Sequence, residues 1–415
     1  MSLDRHLAWA RRQDRADGLA HHRARFHGAD TPLVYFDGNS LGRPAVSAIE
    51  RVERFLREAW GERLIRGWDE QWMELPFRIG DDIGRHVIGT APGQTVIGDS
   101  TTVLLYKLAR AAVDAQLARD PARVEIVVGS DDFPTDRYLL EGIARERGAR
   151  LRWIEVARDS GVTVEQLRAA VGPETALVVL SHVAYRSGHL ADAPELTRIA
   201  HDAGALVLWD LCHSAGSVPV EADAWGFDLA VGCTYKYLNA GPGAIAGAFV
   251  HSSHFSPENL DQLHGWWGHE EKTRFRMLPT FTPAHGAELW QMSNPPILSL
   301  APVVASLELF REAGLPALRA KSADLTGYLD WLIAERFAER IACITPEGAR
   351  GAQLSLRLRD AGGRGRALFD ALCALNVTGD WREPDVIRVA PAPLYNSYRD
   401  VHEFADRLGT ALAQG

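Results

Sequence analysis

Apolar residues follow two rhythms along this chain. From about Gly98 to His251, short apolar runs alternate with stretches of helical spacing. The runs are Val124-Glu-Ile-Val-Val, Leu151-Arg-Trp-Ile-Glu-Val, Ala176-Leu-Val-Val-Leu, Ala205-Leu-Val-Leu-Trp, Leu229-Ala-Val and Ile245-Ala-Gly-Ala-Phe-Val. Between them, 136–147, 164–171 and 194–203 read as helices. Short apolar strands separated by helices predict an α/β unit whose mostly parallel sheet is covered on both faces. In such sheets ligands sit beyond the carboxyl ends of the strands.

The flanking rhythm differs. The first thirty residues are charged, alanine-rich and helical in pattern. Val34-Tyr35-Phe36 reads as a short strand entering the turn-rich Asp37-Gly38-Asn39-Ser40-Leu41-Gly42-Arg43-Pro44. A helix over 45–63 follows, with Val52, Phe55, Leu56 and Ala59 at helical spacing. Residues 297–337 are helix-rich. Beyond them, strands at 341–345, 353–358 and 386–390 and a helix at 399–413 form a smaller α+β unit. The expected organisation is an N-terminal segment, 1–50, packing with the small domain. A large domain, 51–297, and a linking helix with the small C-terminal domain, 298–415, complete it. No repeat or low-complexity tract interrupts the pattern.

The length of 415 residues also favours more than one domain. Hydrophobic residues at 46% and charged residues at 24% fit a folded globular chain. A net charge of -9 argues against a nucleic-acid partner and leaves a small anionic ligand open. Cys212, Cys233, Cys343 and Cys373 form no CxxC pair, so buried reduced thiols are expected rather than disulfides or a metal site. Met1-Ser-Leu-Asp-Arg-His lacks the apolar core of a signal peptide, and no run reaches the roughly 18 apolar residues of a membrane helix. A cytoplasmic location and no membrane partner are the resulting expectations.

The chemistry centres on Lys236, in Cys233-Thr-Tyr-Lys-Tyr-Leu-Asn-Ala-Gly-Pro-Gly, just after an apolar strand. A lysine amid such residues is costly unless paired, neutralised or covalently used. Upstream, Trp209-Asp210-Leu-Cys-His213-Ser-Ala-Gly ends another strand with an acid. A strand-end Asp and a strand-end Lys point to pyridoxal phosphate (PLP), with Lys236 as the Schiff-base residue and Asp210 holding the ring nitrogen protonated. A helix cap is the competing reading for Asp210, and an ordinary core histidine for His213. Thr101 and Thr102 open a helix whose free N–H groups suit a phosphate, though a plain cap would look alike. Phe133 and Asp136, in Phe-Pro-Thr-Asp, offer a stacking ring and a further negative charge. Arg388, flanked by apolar residues, needs an anionic partner: a substrate carboxylate or an internal salt bridge.

These motifs resemble the kynureninase family, which belongs to the class V aminotransferase group of fold-type-I PLP enzymes. The likeness also runs through Phe36-Asp-Gly-Asn-Ser-Leu-Gly, Gly265-Trp-Trp-Gly-His-Glu, Ser293-Asn-Pro-Pro-Ile-Leu and Arg388-Val-Ala-Pro-Ala-Pro-Leu-Tyr-Asn-Ser. It implies hydrolysis of L-kynurenine to anthranilate and L-alanine, in tryptophan catabolism by the kynurenine pathway or in NAD biosynthesis. It implies Lys236, Tyr235 and Asp210 as catalytic residues, with Tyr235 relaying protons. Thr101, Thr102, Phe133, Asp136, Ser181 and His213 would join them at PLP. Trp266 and Asn294 would reach it from the neighbouring subunit of a homodimer. Arg388, Ser40, Trp68 and Asn294 would meet the substrate, and tryptophan at 68 favours kynurenine over 3-hydroxykynurenine. Another class V PLP enzyme, a cysteine desulfurase or an aminotransferase, is the nearest alternative. A desulfurase needs a mobile reactive thiol, whereas Cys343 and Cys373 are expected to be buried. A non-catalytic ligand-binding module on this fold is the more distant alternative.

Overall fold

The computed structural model describes residues 3–256, 260–359 and 364–414. After the helix Leu3–Ala16 comes a two-residue strand, β1 (Val34–Tyr35). The helix Val46–Arg54 then continues in π geometry through Phe55–Glu62. One sheet is built from β2 (Thr95–Ile97), β3 (Glu125–Gly129), β4 (Arg150–Ile154), β5 (Thr175–Ser181), β6 (Leu206–Asp210), β7 (Leu229–Gly232) and β8 (Gly247–Val250). Its spatial order is β2-β8-β7-β6-β5-β3-β4. The strands from β4 across to β7 are parallel, and β8 runs antiparallel to both β7 and β2. The sequence reading missed β2, whose three residues are too few to set up a period.

Alternation along each strand sends its side chains to two cores. Val127, Val178, Val207 and Trp209 join residues of the helices Leu75–Ile83, Ala193–Asp202 and Leu300–Ala313. Ile126, Val128, Leu177, Val179 and Leu208 join those of Thr101–Arg119 and Pro134–Arg147. Each fully buried aliphatic side chain contributes roughly 1.5–3 kcal/mol. The chain goes outward from β3 to β4 and returns to β5 on the other side of β3. That reversal opens a crevice at the carboxyl ends of β3 and β5.

A second sheet, antiparallel, follows: β9 (Ile341–Cys343) and β10 (Leu354–Leu358), then, past the short β11 (Val377–Thr378), β12 (Asp380–Arg382) and β13 (Val386–Val389), in the order β12-β13-β10-β9. β11 pairs instead with β1, in parallel. A third core gathers Leu329, Leu332, Leu354, Val389, Phe404 and Leu408 with Ala10, Val34 and Phe36 from the N-terminal segment. That segment also gives Phe26, Ala29, Ala45 and Ala48 to the large-sheet core. So do Leu300, Val303, Leu307 and Phe310, although their helix was expected with residues 298–415. The loop after β5 ties the sheets together, because Ser355 Oγ donates to Arg186 O at 2.5 Å and Thr345 Oγ1 to Ser187 O at 2.6 Å.

One expectation is corrected. All four cysteines are free and Cys212 and Cys233 are buried, but Cys343 is only half-buried and Cys373 is exposed. The helix Gly365–Ala374 turns Leu368 and Leu372 into the core, which leaves Cys373 outside. Among the described residues, no helix is long and apolar enough to cross a membrane.

Candidate active site

Lys236 lies in the loop after β7, and that loop is fixed by its own bonds. Thr234 Oγ1 donates to Ile245 O at 2.5 Å, Ala240 N to Thr234 O at 3.0 Å and Asn239 N to Lys236 O at 3.0 Å. Gly241 takes a φ of 89°, where a side chain would be strained. The loop around Ser40 leans on this one, with Gly42 N–H donating to Tyr235 O at 2.8 Å. A Cβ on Gly42 would stand 2.4 Å from Lys236 O and 2.7 Å from Asn239 Cα. Glycine at 42 therefore allows the close approach of this loop to the backbone of the loop bearing Lys236.

The Lys236 Nζ lies 5.9 Å from the Phe133 ring centre and 5.8 Å from that of Tyr235. Burial pulls its pKa down, but Cys233, Cys212, Tyr235 and Asp210 outweigh burial and raise it. Burial also raises the Tyr235 phenol, so it stays protonated. Asp210, buried at the end of β6, accepts from Cys212 N at 2.8 Å. Two further carboxylates crowd it. Asp132 accepts the N–H of Gly129 at 2.8 Å and of Ser181 at 3.4 Å, and burial lifts its pKa to about 6. Asp136 is pushed well above the ordinary range by burial and by the charges of Asp210 and Asp132. His213 is held neutral by burial, then by the charges of Lys236 and Arg388, and its buried Nδ1 has no hydrogen-bond partner.

Three acids against one lysine, with an orphaned imidazole nitrogen beside them, fit a flat ring that brings its own positive charge. The protonated pyridine of PLP has that character. Thr101 and Thr102 begin their helix after β2, which runs in the same direction as β7 and so ends at the same sheet edge. Ser100 caps this helix by accepting from Val103 N at 3.4 Å, and the first N–H groups suit a phosphate.

Arg388 is 1% exposed. Its Nε donates to Asp380 Oδ2 at 2.6 Å, Nη1 to Tyr185 O at 2.5 Å and Nη2 to Ser40 Oγ at 3.2 Å. The internal salt bridge is therefore present, with Ser40 alongside. The structure thus gathers Lys236, Tyr235, Asp210, Asp136, Phe133, Ser181 and His213, with Arg388 and Ser40 adjoining. Trp68 and Trp266 fall in a different group. Trp68 meets Trp72 and Trp267 edge-on at 5.2 and 5.7 Å, and Trp266 lies 5.0 Å from Trp267. Trp266 is 42% exposed, and Asn294 is exposed as well. The sequence reading missed Asp132, which passes for a turn residue in Asp131-Asp132-Phe133-Pro134. It missed Asp380 too, which only strand register brings to Arg388.

Residues 86–358 match the class V aminotransferase family model, and residues 318–408 match the kynureninase C-terminal domain model. A kynureninase of Xanthomonas axonopodis pv. citri is 42% identical over 95% of this chain and 96% of that protein. One from Xanthomonas campestris pv. campestris is 44% identical over 92% and 91%. One from Stenotrophomonas maltophilia is 43% identical over 90% of each. Among solved structures, a C-DES mutant with glycine covalently linked to its PLP cofactor superposes with a TM-score of 0.80 at 18% identity, covering 93% of this chain and 98% of that one. The apo cysteine desulfurase of Thermococcus onnurineus NA1 gives 0.79 at 16% identity, over 95% and 98%. At such identities these structures speak for the fold alone.

Proposed function

The chain belongs to the kynureninase family, and from that premise we propose how its residues hydrolyse L-kynurenine to anthranilate and L-alanine with PLP. The observation that carries the reading is Lys236 beside the crowded acids Asp210, Asp136 and Asp132 at one sheet edge. PLP, when bound, supplies an electron sink that acidifies the substrate carbons next to its amine.

The chain's own groups do the rest. Lys236 Nζ would hold the cofactor, and its amine is the base placed to move protons at the substrate Cα. Asp210, with Asp136 behind it, keeps a proton on the ring nitrogen. Phe133, Ser181 and His213 would hold the ring, and the helix start at Thr101 and Thr102 would take the phosphate. Arg388 and Ser40 hold the substrate α-carboxylate. The Tyr235 hydroxyl, kept protonated by burial, delivers the proton to Cβ when water has added at the γ-carbonyl and the Cβ–Cγ bond breaks.

The active unit is a homodimer in which Trp266 and Asn294 reach the partner's cofactor; their exposure supports this. The indole of Trp68, packed edge-on against Trp72 and Trp267, offers less to a ring hydroxyl than an imidazole would, which makes 3-hydroxykynurenine the secondary substrate. The enzyme serves tryptophan catabolism in the cytoplasm, or NAD biosynthesis there, and four unpaired cysteines suit that compartment. The desulfurase alternative lacks its thiol: Cys343 sits in β9 and Cys373 on a helix.

The test is Lys236→Ala. Wild-type protein with PLP should release fluorescent anthranilate from L-kynurenine, and the variant should lose at least roughly a thousandfold in rate. Anthranilate release by the variant at the wild-type rate would defeat the assignment of Lys236. Wild-type protein that stays inert with added PLP would defeat the reaction.

A further inference from the structure

β12 and β13 form an antiparallel pair in which Asp380 stands opposite Arg388 and Arg382 opposite Val386. Residues 380 and 382 share a face by the two-residue period of a strand, and opposed side chains in such a pair are within reach of each other. Asp380 Oδ2 accepts from Arg388 Nε at 2.6 Å and also pairs with Arg388 Nη2. The same oxygen lies 2.9 Å from Arg382 Nε. One carboxylate oxygen thus stands between two guanidinium groups.

We propose that Asp380 and Arg382 are positioning residues for Arg388: Asp380 fixes which edge of the guanidinium faces the site, and Arg382 supplies the positive charge that Asp380 would otherwise cancel. This rests on the reading of Arg388 as the residue that takes the substrate α-carboxylate.

The orientation follows from counting N–H groups. Arg388 has five. Nε–H and one Nη2–H are turned to Asp380, one Nη1–H to Tyr185 O and the second Nη2–H to Ser40. The Nη1–Nη2 edge, with the Ser40 hydroxyl as placeholder, is what remains for a carboxylate. A bidentate carboxylate there would take the last Nη1–H and displace Ser40, whose hydroxyl can then donate to it.

The charge argument is independent of that count. An isolated Asp380–Arg388 pair is neutral, and a buried neutral pair offers little to a carboxylate that must leave water. Asp37 makes matters worse. It faces Asp380, Arg388 and Arg382, and burial raises its pKa to about 6, so it is charged at neutral pH. Two carboxylates then oppose Arg388, and without Arg382 the balance would turn negative just where an anion must enter. With Arg382 the two signs are even, so no net negative charge opposes the incoming carboxylate and the Nη1–Nη2 edge of Arg388 can take it.

The experiment compares wild-type holoenzyme with Arg382→Met, Arg382→Lys and Asp380→Asn. L-Kynurenine turnover gives kcat and KM. Titration of L-alanine and of L-alaninamide, followed by cofactor absorbance, reads the carboxylate contact without any turnover. Arg382→Met should raise KM and the alanine Kd about tenfold, about 1.4 kcal/mol. Its kcat and alaninamide Kd should stay within about twofold, and Arg382→Lys should restore most of the loss. Asp380→Asn should also lower the preference for alanine over alaninamide. An unchanged KM and an unchanged alanine-to-alaninamide ratio in Arg382→Met would overturn the proposal. So would loss of both ligands and of PLP alike in Asp380→Asn together with no rescue by Arg382→Lys, since that marks a structural role only. If the wild type turns out inert toward kynurenine, the proposed reaction fails, while the alanine and alaninamide arm still decides the arginine row.

Discussion

Replacing Asp132 by asparagine should stabilise the cofactor-free protein and weaken cofactor binding in the same stroke. The side chain accepts the N–H of Gly129 on Oδ2 and that of Ser181 on Oδ1, so an asparagine can turn its amide oxygen to Gly129 and gives up the longer bond from Ser181, a loss of roughly 1 kcal/mol. What asparagine removes is a desolvated charge beside Asp136 and Asp210. Burial raises the Asp132 pKa from 3.8 to about 6. Such a gap corresponds to about 3 kcal/mol against the ionised, folded form. The sign follows from linkage: the folded pKa exceeds the unfolded one, so the associated stability is full below about pH 4 and lost as pH rises through about 6. Roughly half the penalty is already present at pH 5, and nearly all of it at pH 7.5. Set against the lost Ser181 bond, a net gain of about 2 kcal/mol remains at pH 7.5, which for a chain of 415 residues moves Tm by roughly 2 °C.

The assay is thermal melting of the cofactor-free proteins at pH 5 and 7.5, paired with absorbance titration by PLP. The Asp132→Asn variant should melt higher than wild type, with the larger gap at pH 7.5. Its PLP Kd should rise roughly tenfold, because the ring nitrogen loses one of the charges that favour its proton. A variant that melts at or below the wild-type temperature at both pH values would show that Asp132 carries no strain worth relieving. The account of the acid cluster as a waiting counter-charge would then be wrong.

Two further outcomes follow from packing. Gly42→Ala places a methyl 2.4 Å from Lys236 O, so the loop bearing Ser40 must retreat. Overpacking of this kind costs roughly 1–3 kcal/mol, and KM for kynurenine should rise more than kcat falls; wild-type kinetics in this variant would mean the two loops are not coupled. On native protein a thiol reagent such as DTNB should modify Cys373 first and leave activity intact, while buried Cys212 and Cys233 stay protected. Early loss of activity in step with the first thiol modified would contradict that order.

What the sequence revealed and what it hid divide along a physical line. The parallel strands β3, β5, β6 and β7 were readable because each is a short, largely apolar run, and burial on both faces demands that composition, while the edge strand β4 keeps Arg150 and Arg152 exposed. Lys236 and Asp210 were readable because a charged side chain at the end of such a run is anomalous by itself. The helix Leu300–Ala313 was read only as part of a linking segment, because its apolar face says that it is covered but not by which sheet. Cys373 was misplaced because an apolar neighbourhood in sequence need not be apolar in space, and a single helical step of about 100° carries a residue from Leu372 in the core to the surface.

The residues that tune the site are a harder case, and the reason is general to sites assembled from distant segments. Asp380 matters through a pairing register, and Gly42 through a contact with a loop far along the chain. Neither carries a local signature: an aspartate near a turn and a glycine shortly before a proline are commonplace. Groups that touch the ligand must be chemically unusual where they stand, so sequence exposes them. Groups that set the charge or direction of those residues need only be close to them, and closeness is a property of the fold. Arg388 shows both sides. Its need for an anion is plain from its apolar flanks, yet the anion it already holds, and the second arginine that keeps that anion from neutralising it, emerge only when β12 is laid beside β13.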